Sequence, residues 1–239
     1  MTQTMIQKTF APFKKFLPSW IYNPIRSIGT AFLGPILFGY RTGYFLSCFK
    51  MAAVTRDGEP LPWYTYPSID FLKYRNFDGK NILEFGGGQS TLWWAKRAKH
   101  VVTLEGDINW YEKIRNKMPD NVHLQYVSMK NSAVNIAQVN EALRSKEYST
   151  YDVIVIDGLY RYEMIPIALR LMAEDGIIIC DNAEGYGFYE GFKETALSRV
   201  DFFGNVPGVV LPHCTSIYFK SSSFAFSSKY PIPVVATEN

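Results

Sequence analysis

From residue 81 onwards, short apolar runs alternate with amphipathic stretches. "NILEF" (81–85), "HVVTLEG" (100–106), "VHLQYVS" (122–128), "YDVIVIDG" (151–158) and "GIIICDN" (176–182) are rich in β-branched residues. Near-continuous apolar runs of this kind suit strands covered on both faces, and hence a parallel sheet. Between them, residues 89–98, 108–118, 134–147, 162–173 and 188–198 carry patterns of helical period. The ending differs. "RVDFFG" (199–204) and "HCTSIYFK" (213–220) predict an antiparallel pair at one edge. The pattern as a whole predicts an α/β fold: a doubly wound, mostly parallel seven-stranded sheet with a terminal antiparallel hairpin. Such sheets bind ligands beyond the carboxyl ends of their strands. Chemistry is therefore expected just after residues 85, 105, 128, 157 and 181.

Ahead of the sheet, residues 1–62 read as a helical arm punctuated by Pro18, Pro24 and Pro35 and ending in the turn "RDGEPLP". A short helix begun near Pro67 follows within "WYTYPSIDFLKYRNF" (63–77). Residues 63–220 then form the core domain. The Ser- and Pro-rich residues 221–239 are expected to be a loose tail. There is no internal repeat.

Composition adds little to this outline, since 47% hydrophobic and 20% charged residues fit a folded domain with an appendage and argue against disorder. Charge adds more. The net charge is +3, yet residues 1–60 hold seven Lys/Arg against Asp57 and Glu59, a net of +5 that leaves −2 for the remainder. A basic, aromatic segment suits an anionic membrane surface or an acidic partner, and equally an arm packed on its own domain. Its most apolar run, "IGTAFLGPILFGY" (28–40), contains Pro35, stops at Arg41 and falls short of the roughly 20 residues of a spanning helix. A helix lying in the membrane interface is compatible with it. Cys48, Cys180 and Cys214 are isolated, so neither a zinc site nor a disulfide framework is expected. With no secretory leader pattern at the start, the expected location is the cytoplasm, at the membrane surface if the arm docks there. The slightly acidic core domain, without a basic–aromatic strip, speaks against nucleic acid.

The candidate chemistry centres on "NILEFGGGQSTLWWAK" (81–96), where a strand runs into three glycines and then a helix. The spacing Glu84-x-Gly86-x-Gly88-x-Ser90 departs from the dinucleotide fingerprint, which wants glycine where Thr91 stands. No Gly-Lys-Ser/Thr follows to make a P-loop. Glu105 ends the second strand 19 residues after Gly86, where an acid can accept both hydroxyls of a ribose. With Glu84 beside the turn and Asp157 ending the fourth strand, carboxylates flank the site. They suit a cationic ligand better than a pyrophosphate. Helix-capping acids at strand ends are the plainer account of Glu105 and Asp157.

Taken in order, "ILEFGGGQSTLWWA", "VVTLEGD", "YDVIVIDG" and "GIIICDNAE" resemble the motifs of Rossmann-like S-adenosylmethionine-dependent methyltransferases, over about residues 63–220. The resemblance implies S-adenosylmethionine as cofactor. It places Glu84, Gly86, Gly87, Gly88, Ser90 and Thr91 at the methionine moiety and Glu105 at the ribose. Ser128 and Met129 would flank adenine, and Asp157 would lie beside the transferred methyl. Many members carry an acid after the third strand, where "YVSMKNS" offers Ser128 and Asn131. Tyr66, ahead of the turn, is a candidate to close over the cofactor, and core packing explains it equally well.

Asp157, Asp181 and Asn182 are similar to the metal-binding trio of the catechol O-methyltransferase type, which implies a site for Mg²⁺. That type carries a lysine base three residues after its first Asp, where this chain has Tyr160 followed by Arg161. Asp157, Tyr160 and His213 are thus the candidate catalytic residues. His100 and His123 begin strands at the opposite edge. The expected activity is methyl transfer to a small-molecule or glycan/lipid-precursor acceptor, oxygen slightly favoured, in a pocket walled by the arm, "PWYTYP" and residues 204–213. Competing readings are a non-catalytic cofactor-binding scaffold and a nicotinamide-dependent oxidoreductase.

Overall fold

The computed structural model describes residues 16–128, 132–144 and 149–232. Among the described residues the first helices are α1 (Ser19–Arg41) and α2 (Tyr44–Lys50), followed by α3 (Tyr66–Lys73). A regular alternation then begins: β1 (Asn81–Phe85), α4 (Gln89–Ala95), β2 (His100–Glu105), α5 (Ile108–Ile114), β3 (Val122–Tyr126) and α6 (Ser132–Arg144). It continues through β4 (Tyr151–Ile156), α7 (Arg161–Leu171), β5 (Met172–Cys180) and α8 (Phe188–Phe192). The last strands are β6 (Ser198–Gly204) and β7 (His213–Phe219).

The seven strands form one sheet in the order β3-β2-β1-β4-β5-β7-β6. Strands β1 to β5 pair in parallel, while β7 runs antiparallel to both β5 and β6. The expected α/β sheet with its terminal hairpin is therefore present. The order reverses at β1 and β4, so the carboxyl ends of these two strands form the crevice where ligands bind in such sheets.

Side chains alternate between two buried layers, as the pleat requires. Leu83, Phe85, Val102, Leu104, Ile154, Ile156, Ile178 and Cys180 pack against Val139 of α6, Met164, Ile165 and Ala168 of α7, and Phe188 and Phe192 of α8. The alternate residues Ile82, Val101, Val153, Val155, Ile177, Ile179 and Ile217 face Ile69 and Leu72 of α3 and Trp93 and Trp94 of α4. Trp94 meets Trp93 edge-on at 4.6 Å and Phe77 at 5.0 Å. Tyr64 is fully buried in this second layer and accepts a hydrogen bond from Trp94 Nε1 at 3.3 Å.

Three elements depart from the sequence pattern. β5 begins at Met172, four residues earlier than the apolar run, because a register irregularity between Tyr151 and Val153 lets its polar start pair with β4. α8 stops at Phe192, well before 198, and β6 starts at Ser198. α1 runs unbroken through Pro24 and Pro35. Each proline removes one N–H from the helical ladder. The carbonyls left over belong to Trp20 and Ala31, both on exposed residues, where solvent can satisfy them.

Candidate functional site

The turn after β1 is held from two sides by carboxylates. Glu105, at the end of β2, accepts the Gly87 amide on Oε2 at 2.8 Å and the Asp107 amide on Oε1 at 2.7 Å. Trp110 of α5 donates its indole N–H to the Gly87 carbonyl at 2.6 Å. Glu84 works from beneath. Its Oε2 accepts the hydroxyls of Thr91 (2.5 Å) and Thr103 (2.9 Å), and Thr91 Oγ1 in turn accepts the Gly88 amide at 2.9 Å. Glu84 is fully buried and its Oε1 has no hydrogen-bond partner. Burial pushes its carboxyl up to about 7, although the hydroxyls of Ser90, Thr91 and Thr103 hold it back.

The three glycines differ in what they require. Gly86 has φ +93°, and a Cβ there would meet the Asp157 carbonyl oxygen at 2.6 Å and Gly158 Cα at 2.7 Å. Its glycine requirement comes from the β4 loop crossing over it. Gly87 is crowded by Thr103 and Ile114, at 2.9 and 3.1 Å. Gly88 has only the Trp110 ring within reach, at 3.9 Å, so this is the glycine whose open side can admit a ligand. Ser90 and Thr91, on the first turn of α4, are buried. Ser128, just past β3, is half-buried, and Met129 lies outside the described residues.

A cavity of about 580 Å³ opens beside the ends of β4 and β5. Asp157, Arg161, Asp181 and Asn182 line one side, and Trp63, Val206, Val209 and His213 another. The expected walls from "PWYTYP" and residues 204–213 are therefore in place. None of the lining residues comes from the arm.

The metal expectation does not fit these residues. The Arg161 guanidinium sits among the trio: Nη2 donates to Asp157 Oδ1 (2.8 Å), and Nη1 to Asn182 Oδ1 (2.9 Å) and the Asp181 carbonyl (2.5 Å). Its Nε donates to the Gly158 carbonyl at 3.2 Å, and the Tyr186 ring lies 4.4 Å from Cζ. Arg161 is only 10% exposed, so a cation is already built into the position proposed for Mg²⁺. Among the described residues no group of three or more His, Cys, Asp or Glu is arranged to hold a metal. Asp181 Oδ1 accepts the Thr215 hydroxyl at 3.1 Å instead. Burial raises the carboxyls of both Asp157 and Asp181, their mutual repulsion adds to the effect at Asp181, and Arg161 opposes it at each.

His213 begins β7 and faces Glu184, with Nδ1 2.5 Å from Oε1. The Cys214 amide donates to Glu184 Oε2 at 2.9 Å. Burial would raise the Glu184 carboxyl, but these hydrogen bonds hold it below its ordinary value. With a proton on Nδ1 bonded to Glu184, the Nε2 of His213 is left as a proton acceptor.

Two candidates sit elsewhere. Tyr66 is buried against the arm, its ring edge-on to Phe38 at 5.4 Å and its amide donating to the Asn205 carbonyl. Tyr160 caps α7 in a left-handed conformation (φ 56°) and is not among the cavity residues. Its neighbour Arg161 takes the place in the site. Arg161 and Glu184 carried no weight in the sequence reading. The signals that could have found them are a base placed shortly after Asp157 and the acid directly after "CDNA".

No protein-family model matches the chain, and no curated protein matches it. Solved structures do resemble it. An O-methyltransferase from Bacillus cereus in complex with SAH is 21% identical, with 67% of this chain and 84% of that one covered, at a TM-score of 0.49. The O-methyltransferase TomG from Streptomyces achromogenes is 15% identical over 64% and 78% of the two chains, at 0.49. Spermidine synthase from Thermotoga maritima is 14% identical over 66% of this chain and 59% of its own, at 0.45. Likeness at this level bears on neither substrate nor reaction.

Proposed function

We propose that the protein is an S-adenosylmethionine-dependent methyltransferase acting on an oxygen of a small-molecule or glycan/lipid-precursor acceptor. The observation that carries this reading is the turn Gly86–Gly88 pinned between Glu84 and Glu105. A turn backed by two carboxylates favours a cationic nucleoside and disfavours a pyrophosphate, which needs donors. The open side of Gly88 fits such a ligand. Bound there, S-adenosylmethionine would supply an activated methyl group and a neutral thioether leaving group.

The chain's own residues supply the rest. Glu105 braces the turn and would accept ribose hydroxyls on its remaining lone pairs. Asp157, fixed by Arg161, presents a carboxylate to the cavity. The acceptor hydroxyl gives its proton to His213 Nε2, and Glu184 steadies the resulting imidazolium. Trp63, Val206 and Val209 offer an apolar wall that excludes water from the acceptor. The preference for oxygen now rests on the His213–Glu184 pair, since Arg161 removes the argument from a metal.

Calorimetry with S-adenosylhomocysteine and with NADH is the decisive comparison. Binding of the first and no heat with the second is expected, and the reverse would overturn the reading in favour of redox chemistry. Tritium transfer from the labelled cofactor to a panel of phenols, glycans and lipid precursors then identifies the acceptor. His213→Asn should lower that turnover about 100-fold with cofactor affinity unchanged.

A further inference from the structure

The first 56 residues hold seven lysines and arginines and no aspartate or glutamate. Within them, α1 carries Ile21, Ile25, Ile28, Phe32 and Ile36, spaced by four, three, four and four residues. That spacing puts all five on one side of the helix, with Asn23, Arg26 and Thr30 on the far side. The stripe is not packed against the domain: Ile25, Ile28, Phe32 and Ile36 are 47%, 60%, 70% and 54% exposed. Phe49 and Met51, in and just after α2, are also 86% and 85% exposed. An apolar helix face left open in this way marks a binding face in a folded protein.

The face has to be covered by something, and charge decides what. No described helix is long and apolar enough to cross a membrane. A second copy of the arm would set basic residues against their own counterparts, with no acid in the segment to pair them. An anionic lipid surface complements both features at once. We propose that α1 and α2 dock the protein on anionic bilayers, with the Ile–Phe stripe among the upper acyl chains and the basic residues at the headgroups. The arm also touches the cavity wall. Tyr44 Oη donates to the Val209 carbonyl at 3.1 Å, and Gly208 lies against the Ser47–Cys48 backbone. The same loop bears Val210 and Leu211, 85% and 67% exposed. This inference stands independently of the reaction proposed above.

Co-sedimentation of the full chain with phosphatidylcholine vesicles, with and without phosphatidylglycerol, tests it. Binding should require the anionic lipid and fall as salt is raised. The double variant Ile28→Glu/Phe32→Glu should need about tenfold more lipid for half-binding. Both positions are solvent-exposed, and circular dichroism would confirm that the variant is folded. Equal binding to neutral and anionic vesicles, or binding unaffected by the double substitution, would overturn the proposal. So would a dimer in sedimentation velocity that the same substitutions dissolve, with no vesicle binding.

Discussion

Glu84 is a carboxyl buried away from the surface, with one of its oxygens lacking a hydrogen-bond partner. Because its folded pKa is raised to about 7, the folded chain retains a proton that the unfolded chain has already released. Its effect on stability is therefore absent below the unfolded value near 4.5, grows more unfavourable as pH rises toward 7, and levels off above. Glu84→Gln removes this dependence. At pH 8 the variant should resist urea better than the parent by on the order of 2 kcal/mol, and at pH 5 the two should agree within about 0.5 kcal/mol. Identical pH profiles would show that Glu84 is not the group responsible. The same substitution should weaken S-adenosylhomocysteine binding, as expected where a residue is retained for a ligand at a cost in stability. At this scale the sequence was legible where chemistry follows position along a strand. Glu84, Glu105 and Asp157 stand where the pattern put them. The Glu84–Thr91–Gly88 relay was not legible, because it depends on which hydroxyl turns toward which oxygen.

The elements show why three consecutive glycines are needed, and the reasons differ along the run. Gly86 makes room for the loop leaving β4, so Gly86→Ala should disturb the β1–β4 crossing and cost about 2–4 kcal/mol in urea denaturation. Gly88→Ala adds a methyl into open space in extended backbone (φ 173°), so stability should change by less than about 0.5 kcal/mol while cofactor affinity falls. If Gly88→Ala bound S-adenosylhomocysteine normally, the ligand would not pass that side of the turn. Strand identity was readable from the β-branched runs, since a strand buried on both faces leaves a continuous apolar signature, whereas the order of the strands in the sheet was not. The early start of β5 and the short α8 were not readable. A polar stretch joins a sheet only when a neighbour offers it a ladder. The uninterrupted α1 was also hidden, because a proline inside an exposed helix lowers its stability without deciding its course.

For the whole molecule, charge is uneven at one end only: the first 56 residues carry bases and no acid, while acids and bases are mixed in the cavity, where Asp157, Asp181 and Glu184 stand with Arg161 and His213. The guanidinium already occupies the space among Asp157, Asp181 and Asn182, so turnover should be unchanged by EDTA and by added Mg²⁺. A loss of activity with chelator, restored by the metal, would show that Arg161 moves aside. The reversal of β7 has a consequence of a different kind. Because that strand runs against its neighbours, its first residue, His213, arrives at the same edge as the last residues of β5. Residues 205–212 therefore bridge two strands locked by seven paired positions, from Ser198 with Phe219 to Gly204 with His213. That bridge is anchored at Asn205, Pro207 and Val209 by Tyr66, Trp63 and Tyr44, and only its exposed tip, Val210 and Leu211, is free to vary. Substitutions at those two positions should leave the sheet and the glycine turn in shape, whereas a change in the length of the bridge should not.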